Sequence, residues 1–253
     1  ERVGNYCFTP GWTSHEGRVQ YQTYDITDFV KKDNSFSIVC ANGWVNGRIA
    51  LKRQGINPTD EIAVIAEIKI KYANGHIEYV RTDDTWNVYT TSILFSDFYD
   101  GETFDLCADK KLIGRAVIDT RRRPKLVPQI GEYVVERERV AAVSFIVTPK
   151  GERVIDFGQN IAGYAEIKTS APCGSRIVIS HAEVLDAEGN FYTENMRSAK
   201  NLVTYVTDGG ERTFKPTFSF QGFRYIRLDE FPDEEIQLEN FTAIAVYSHL
   251  HRT

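Results

Sequence analysis

The chain has 253 residues, of which 42% are hydrophobic and 26% charged, a balance typical of a folded protein. Its net charge of −5 argues against nucleic acid as a partner, because a nucleic-acid footprint needs clustered excess base. No apolar run approaches the roughly 18–20 residues of a membrane span, so no membrane partner is predicted. The length is sufficient for two domains of ordinary size.

Alternating strands are predicted in the first half. Apolar and polar residues alternate from Val64 to Tyr72, the pattern of a strand with one solvent-facing side. Asn74-Gly75 then predicts a two-residue hairpin turn, after which a strand returns from Ile77 to Arg81. Further strands are predicted at 17–24 and 36–40, and a short helical turn near 27–32.

A basic, proline-containing stretch from Thr120 to Gln129 separates the two halves. Two prolines and four basic residues in ten positions favour an extended connector over a buried strand. A polyanion site is the alternative, and the negative net charge disfavours it. The sequence therefore predicts domains at 1–128 and 129–253.

Strands continue through the second half. A hairpin-like unit runs over 176–184, turns through Asp186 to Asn190 and resumes at Phe191, and a helical turn follows near 193–200. Short strands separated by Gly, Asp and Pro, without a sustained helical period, predict an all-β fold of two β-sandwich (jelly-roll-like) domains in tandem. The other strands predicted in this half lie at 143–148, 153–156, 164–169, 202–207, 213–219, 223–229 and 239–247.

The four cysteines, Cys7, Cys40, Cys107 and Cys173, are widely scattered and match no zinc template. Cys40 falls in the predicted strand 36–40, where a thiol behaves as a small hydrophobe. All four are predicted to be reduced, which favours a cytoplasmic location. Since Met196 is the only methionine, Glu1 is not expected to be the natural start.

No catalytic residue is predicted. Acid–base catalysis by carboxyl groups needs a pair at a defined separation, and 35 acidic residues make chance pairs common. His181 and Glu183 share one face of a predicted strand, but a polar network that braces the loop is the favoured interpretation. The five histidines form no supported triad or metal pair.

Ordered motifs run along both halves of the chain. Together they resemble the two β-domains that precede the catalytic domain in bacterial α-L-rhamnosidases, a glycoside hydrolase family. The motifs are Pro10 to Thr13, Val19 to Asp28, Asn42-Gly-Trp44 with Gly47-Arg48, Asp83 to Trp86, Tyr99 to Asp105, Asp156 to Tyr164, His181 to Ala199 and Phe220 to Tyr225.

The resemblance implies a hydrolase that releases terminal α-L-rhamnose from rhamnosides with inversion. Its catalytic acids would lie in an α/α toroid that this sequence does not contain, so the fragment alone is predicted to be inactive. The first domain would be truncated at its N-terminus. The partners implied are L-rhamnose or a rhamnoside and the protein's own catalytic domain.

A sugar site is predicted in two loops of the first half. Aromatic rings stack on sugar rings while amide and carboxylate groups reach the hydroxyls. The candidates are Asn42, Trp44, Arg48, Asp97 and Tyr99. No cofactor is required. The resemblance implies that calcium is a candidate ligand at Asn42 and at Asp97, and Asp97 lies in the loop from Ser92 to Asp97. The alternative is that Trp44 and Trp86 are core aromatics, and that Asp100 and Glu102 brace the fold.

An interdomain surface is predicted in the second half. Polar residues with an aromatic anchor are expected to face the catalytic domain. The candidates are Gln159, Asn160, Tyr192, Glu194 and Arg197.

Three other functions stay open at this point. The chief rival is a stand-alone carbohydrate-binding or lectin-like protein without catalysis. A purely structural pair of sandwiches predicts no sugar binding. Direct hydrolysis predicts turnover of an aryl rhamnoside that disappears in a Glu183→Gln variant.

Overall fold

The computed structural model describes residues 2–15, 17–48, 61–121, 123–232 and 236–248. Its regular elements are nearly all strands, so the predicted all-β, sandwich class is confirmed. Within these ranges, no helix has the length and apolar character needed to cross a membrane. The first half contains β1 (Arg18–Tyr21), a 3-10 turn (Thr27–Phe29), α1 (Gly43–Asn46), β2 (Glu67–Lys71), β3 (Ile77–Arg81), β4 (Asn87–Tyr89), β5 (Ile93–Asp97), β6 (Gly101–Asp105), β7 (Leu112–Arg115) and β8 (Lys125–Pro128).

The second half contains the longest strands, where the sequence predicted short ones. Its strands are β9 (Val134–Ala141), β10 (Ser144–Val147), β11 (Arg153–Thr169), β12 (Arg176–Ala182), β13 (Val184–Leu185), β14 (Phe191–Tyr192), β15 (Leu202–Val206), β16 (Arg212–Phe214), β17 (Gln221–Glu230) and β18 (Phe241–Ser248), with 3-10 turns at Glu194–Met196 and Leu238–Asn240. The longest are β11 with 17 residues and β17 with 10.

One ten-stranded sheet forms the body of the second half. Its strand order is β5-β6-β15-β12-β17-β11-β18-β9, and β10 and β16 also pair with β11. The long strand β11 pairs with β17 through its first part and with β18 through its second part, and the register shifts between Asp156 and Ile161. Gly158, at φ 77°, lies at this irregularity. β11 therefore belongs to both layers of the sandwich.

The main core lies between these layers. Alternate residues of β11 and β12 point into it, because successive side chains of a strand face opposite sides. Each fully buried aliphatic or aromatic side chain contributes about 1.5–3 kcal/mol. The core includes Ile155, Phe157, Ala165, Ile167, Ile177, Ile179, Val203, Tyr205, Phe214, Phe223, Ile226, Leu228, Phe231, Phe241 and Ala243.

The first half is built from strand pairs. β1 pairs with β8 in parallel, while β2–β3 and β4–β7 are antiparallel. The β5–β6 hairpin instead joins the main sheet, since β6 pairs in parallel with β15, with Leu202 opposite Gly101. Cys7 and Phe98 are the buried hydrophobic residues described before Val135. The boundary between residues 128 and 129 stays a prediction, and β6 carries the main sheet across it.

Several sequence-based element predictions are wrong. Residues 36–40, including Cys40, form no strand, and Phe36 instead packs edge-on against Trp86 at 6.0 Å. The predicted loop from Ser92 to Asp97 is largely β5, because hydrogen bonds to β6 make it extended. The predicted connector 120–129 contains β8, which is a strand because it pairs in parallel with β1. The strands predicted at 153–156 and 164–169 are one bulged strand, β11.

Candidate functional site

Asp97 ends β5 and binds three backbone groups. Its Oδ2 accepts the Arg48 N–H at 2.7 Å, and its Oδ1 accepts the N–H groups of Tyr99 and Asp100 at 2.8 and 3.0 Å. The residue is 4% exposed. The carboxylate therefore ties the segment after α1 to the β5–β6 turn.

Arg48 extends this connection to the second half. Its Nη1 lies 3.2 Å from Asp100 Oδ2, and its Nη2 donates to the Ser198 carbonyl oxygen at 2.8 Å. Lys200 Nζ lies 4.0 Å from the same Asp100 oxygen. Arg48 thus links three segments of the chain, and its guanidinium is already engaged by protein groups.

Trp44, in α1, lies between two aromatic rings. Phe98 lies 4.2 Å from it, and Trp12 stacks nearly parallel to it at 5.9 Å. The Trp44 Nε1–H donates to the Phe8 carbonyl oxygen at 3.3 Å. Trp12 is 52% exposed, so it is the ring of this stack that offers a face to solvent. Sequence reasoning missed it, although it lies within the Pro10 to Thr13 motif.

Asn42 and Tyr99 complete the predicted sugar set. Asn42 immediately precedes α1, and its side chain makes no capping hydrogen bond to the helix. Tyr99 is half-buried, and its carbonyl oxygen accepts the Asn201 N–H at 3.0 Å. The structure therefore brings Trp44, Arg48, Asp97 and Tyr99 together around the β5–β6 turn.

The residues around Asp97 fit calcium poorly. Calcium prefers six to eight oxygen ligands, whereas the Asp97 carboxylate already accepts three backbone N–H groups. Among the described residues, no group of three or more His, Cys, Asp or Glu side chains is placed to hold a metal ion. Calcium binding at Asn42 and Asp97 stays a prediction.

Two further residues of the Tyr99 to Asp105 motif hold the hairpin in place. Glu102 is 1% exposed, and its carboxylate accepts the N–H groups of Thr217 and Phe218, each at 2.9 Å. Burial raises the pKa of Glu102, although these N–H groups act in the opposite direction. Gly101 has φ 97°, and a Cβ there would lie 1.8 Å from the Leu202 carbonyl oxygen. This motif therefore allows β6 to lie against β15.

The predicted interdomain residues Gln159 and Asn160 lie at the bulge of β11, and both are exposed. Asn160 Nδ2 lies 3.4 Å from Glu183 Oε1, and Asn195 Nδ2 donates to Glu183 Oε2 at 3.1 Å. Glu183 thus joins the bulge to the 3-10 turn after β14. An open cleft of about 260 Å³ adjoins the bulge, lined by Glu138, Gln159, Asn160, Ile161, Ala162, Ala245, Val246 and Tyr247.

The remaining interdomain candidates surround that turn. Tyr192 ends β14 and is half-buried, whereas Glu194 and Arg197 are exposed. Arg197 has φ 56°, an uncommon conformation for a residue other than glycine. Since Asn195 contacts Glu183 and Ser198 contacts Arg48, this loop lies between the two candidate sites.

His181 is not available as an acid or base. It is completely buried beside Phe223, and its Nδ1 lies 2.9 Å from the Asn201 carbonyl oxygen. Burial lowers its pKa to about 4. His181 therefore stays neutral near pH 7 and braces the start of β15, while Glu183 points to the exposed amides of Asn160 and Asn195.

The comparisons with known proteins agree with this architecture. Residues 1–124 match the model of the alpha-L-rhamnosidase N-terminal domain, and residues 146–247 match that of the bacterial alpha-L-rhamnosidase concanavalin-like domain. The chain carries two domains of the bacterial α-L-rhamnosidase family.

The similarity to α-L-rhamnosidases, in sequence and in structure, extends over almost the whole chain. A Streptomyces avermitilis α-L-rhamnosidase is 35% identical over 91% of this chain and 24% of its own length. A crystal structure of a Streptomyces avermitilis α-L-rhamnosidase complexed with L-rhamnose covers 98% of this chain and 25% of that protein, with TM-score 0.86 and 28% identity. The Aspergillus terreus enzyme covers 100% of this chain and 31% of that protein, with TM-score 0.85 and 27% identity. The chain thus spans about a quarter to a third of these α-L-rhamnosidases.

Proposed function

We propose that this chain is the non-catalytic β-region of an α-L-rhamnosidase and that it supports a catalytic domain that releases terminal α-L-rhamnose with inversion. One contrast carries the proposal. The polar groups of Arg48 and Asp97 bind other parts of this chain, whereas the groups around the β11 bulge are exposed. The former suit a rigid scaffold and the latter suit a docking surface.

The docking surface is defined here as Gln159, Asn160, Glu183, Glu194 and Arg197. Contacts between domains of one chain are commonly polar, with arginine among the favoured residues. Glu183 holds the amides of Asn160 and Asn195, so the two parts of the surface are already ordered relative to each other. A preformed surface loses little conformational freedom on docking.

A hybrid enzyme tests the scaffold role. This chain would replace the matching quarter of the Streptomyces avermitilis α-L-rhamnosidase, and hydrolysis of an aryl rhamnoside and the melting temperature would be measured. Arg197→Ala is expected to lower the melting temperature of the hybrid by several degrees while leaving that of the isolated chain unchanged. Lys32→Ala, at an exposed site of the first half, is the matched control. An equal drop in the isolated chain would assign Arg197 to internal stability instead.

The isolated chain is expected to give no turnover of the aryl rhamnoside. Turnover that disappears in Glu183→Gln would favour direct hydrolysis and contradict the proposal. Retention of activity in the hybrid, together with inactivity of the chain alone, would support it.

Rhamnose capture is a second candidate function. The parallel stack of Trp12 on Trp44 favours it, because an exposed indole face can pack on the apolar face of a sugar ring. Asn42 and Tyr99 supply polar groups in adjoining segments. A weak sugar site of this kind would raise the local concentration of substrate through tethering alone.

An amide NMR titration with L-rhamnose, first with calcium and then with excess chelator, tests this candidate. Shifts clustered at Trp12, Asn42 and Ser92 to Asp97, and absent with L-fucose, would support a rhamnose-binding module. Their loss with chelator would support calcium at Asn42 and Asp97. No shifts would leave the chain as scaffold, and strong shifts with an inactive hybrid would favour the stand-alone carbohydrate-binding protein.

A further inference from the structure

We propose that Cys107 and Cys173 form an oxidative modification site, in which an intramolecular disulfide joins the two halves of the chain. The two Sγ atoms lie 3.6 Å apart although 66 positions separate them in sequence. A disulfide needs about 2.05 Å between sulfur atoms, so the closing movement is roughly 1.5 Å. This inference is independent of the proposed function.

Both cysteines lie in turns that hydrogen bonds hold together. Cys107 follows β6, and its N–H donates to Asp105 Oδ1 at 2.8 Å. Cys173 lies in the turn between β11 and β12. The Thr207 carbonyl oxygen accepts the Gly174 N–H at 2.8 Å and lies 3.2 Å from Cys107 Sγ. The Thr207 hydroxyl also donates to the Pro172 carbonyl oxygen at 2.6 Å. Thr207 therefore holds the two turns next to each other, so a bond between the two sulfur atoms needs no local unfolding.

Exposure to solvent distinguishes the Cys107–Cys173 pair from Cys7. Cys107 and Cys173 are exposed, whereas Cys7 is buried. A dissolved oxidant can therefore reach either sulfur atom of the pair. An accessible thiolate beside a second cysteine is the arrangement that redox-active pairs use.

The oxidant is a low-molecular-weight disulfide, for which oxidised glutathione is the probe. One cysteine thiolate attacks it, forms a mixed disulfide and expels one glutathione thiolate. The second cysteine thiolate then attacks the mixed disulfide, forms the Cys107–Cys173 bond and expels the other glutathione. Two protein thiols are oxidised, one external disulfide is reduced, and the two thiol protons end on glutathione. The hydrogen bond between the two thiols raises the pKa of the Cys107 thiol, because it favours the protonated form, so exchange is expected to be faster at alkaline pH.

The cross-link would close a long loop across the middle of the chain. It would tie the turn after β6 to the turn between β11 and β12, beside the parallel pairing of β6 with β15. A cross-link between distant positions restricts the unfolded chain more than one between near positions. We therefore expect oxidation to raise the melting temperature by roughly 5–10 °C.

Peptide mapping of the whole chain tests the site. Trypsin separates the four cysteines, because Cys107 lies in peptide 82–110 and Cys173 in peptide 169–176. After treatment with oxidised glutathione and alkylation without reductant, these two peptides are expected to be joined. Free-thiol titration should fall by two groups. The Cys40→Ser variant should behave as the wild type does, while Cys107→Ser and Cys173→Ser should form no internal bond and show no rise in melting temperature.

Retention of all four thiols would overturn the proposal. So would a persistent mixed disulfide with glutathione, or a bond to Cys7 or Cys40. Since both serine variants are compared with their own reduced forms, any cost of the substitution itself cancels from the measured shift.

Discussion

Arg224 binds Asp156 at two points, with Nε 2.8 Å from Oδ1 and Nη2 2.9 Å from Oδ2. The pair joins two sequence motifs that lie on neighbouring strands, β11 and β17. Asp156 Oδ1 also accepts the Gly158 N–H at 2.6 Å. The same carboxylate therefore pairs two strands and shapes the bulge that presents Gln159 and Asn160.

Asp156→Asn is expected to lower the free energy of unfolding at pH 7 by about 1–2 kcal/mol, because a charged hydrogen-bond acceptor is lost. Because the Arg224 side chain is 38% exposed, solvent weakens its pairing with Asp156, and the expected loss of stability stays within this range. The Arg224 hydrogen bond holds the pKa of Asp156 below its usual 3.8. The stabilisation that ionised Asp156 gives the folded protein is therefore complete above pH 3.8. It is lost as pH falls through the lower, folded-state pKa of Asp156. Urea unfolding at pH 7 and pH 3 measures both effects.

Glu230→Gln is the matched control for this prediction. Glu230 pairs with Arg176 at 3.0 Å, but about half of each side chain is exposed. Such surface pairs contribute about 0–1 kcal/mol. An equal loss in both variants would contradict the structural role given to Asp156.

Asp97→Asn is expected to destabilise the protein by about 1–3 kcal/mol. The amide offers one acceptor oxygen where the carboxylate offers two. Either the backbone N–H of Arg48 or the backbone N–H groups of Tyr99 and Asp100 would therefore lose their acceptor. Thermal unfolding measures the loss, with the exposed Asp33→Asn as control. A neutral result would reopen Asp97 as a ligand-binding group.

Gly101→Ala is expected to cost several kcal/mol or to prevent folding. Position 101 has φ 97°, and an added Cβ would lie 1.8 Å from the Leu202 carbonyl oxygen. Gly75→Ala is the control, since Gly75 has φ 85° with no heavy atom within 4 Å of an added Cβ. The control isolates the backbone cost, about 1–2 kcal/mol. Equal losses would show that β6 does not press against the segment at Leu202.

His181 is expected to make stability depend on pH between 6.5 and 4. Burial lowers its folded-state pKa from 6.5 to about 4, so the unfolded chain binds a proton that the folded protein does not. Stability therefore falls as pH drops from 6.5 towards 4, by at most roughly 3 kcal/mol, and this contribution is constant below pH 4.

Chemical unfolding at pH 7, 5.5 and 4.5 measures the slope for wild type and His181→Gln. The difference between the two slopes removes the contribution of the carboxylates. Parallel slopes for wild type and His181→Gln would contradict the buried, neutral state of this histidine.

Strand periodicity was sufficient to predict the all-β class and most strands of the second half. It did not predict that β11 is one strand, because Gly158 and the polar pair Gln159-Asn160 interrupt its apolar pattern at the bulge. It also favoured a strand at 36–40, where no described partner strand supplies hydrogen bonds. A strand depends on its partner, and the partner is set by the tertiary fold.

For the candidate sites, residue type named segments that the structure brings together, but it did not predict the contacts of each side chain. Asp97 and Arg48 have the chemistry of sugar-binding groups, yet backbone N–H groups occupy the Asp97 carboxylate, and Asp100 and Ser198 occupy the Arg48 guanidinium. Trp12 has the exposed indole face, and its sequence context gave no signal of exposure. That Glu102 braces the fold was named as an alternative from the sequence, but its burial and its bonds to Thr217 and Phe218 became evident from the structure.

The parallel pairing of β6 with β15 determines where this protein can be divided. A piece beginning at residue 129 would leave β15 with an unsatisfied row of backbone donors and acceptors, and such rows recruit strands from other molecules. A piece beginning before Ile93 would keep that row covered by its native neighbour. The composition of residues 120–129 marks a convenient place to cut the chain, whereas hydrogen-bond register marks the unit in which the edge of β15 stays paired after cutting.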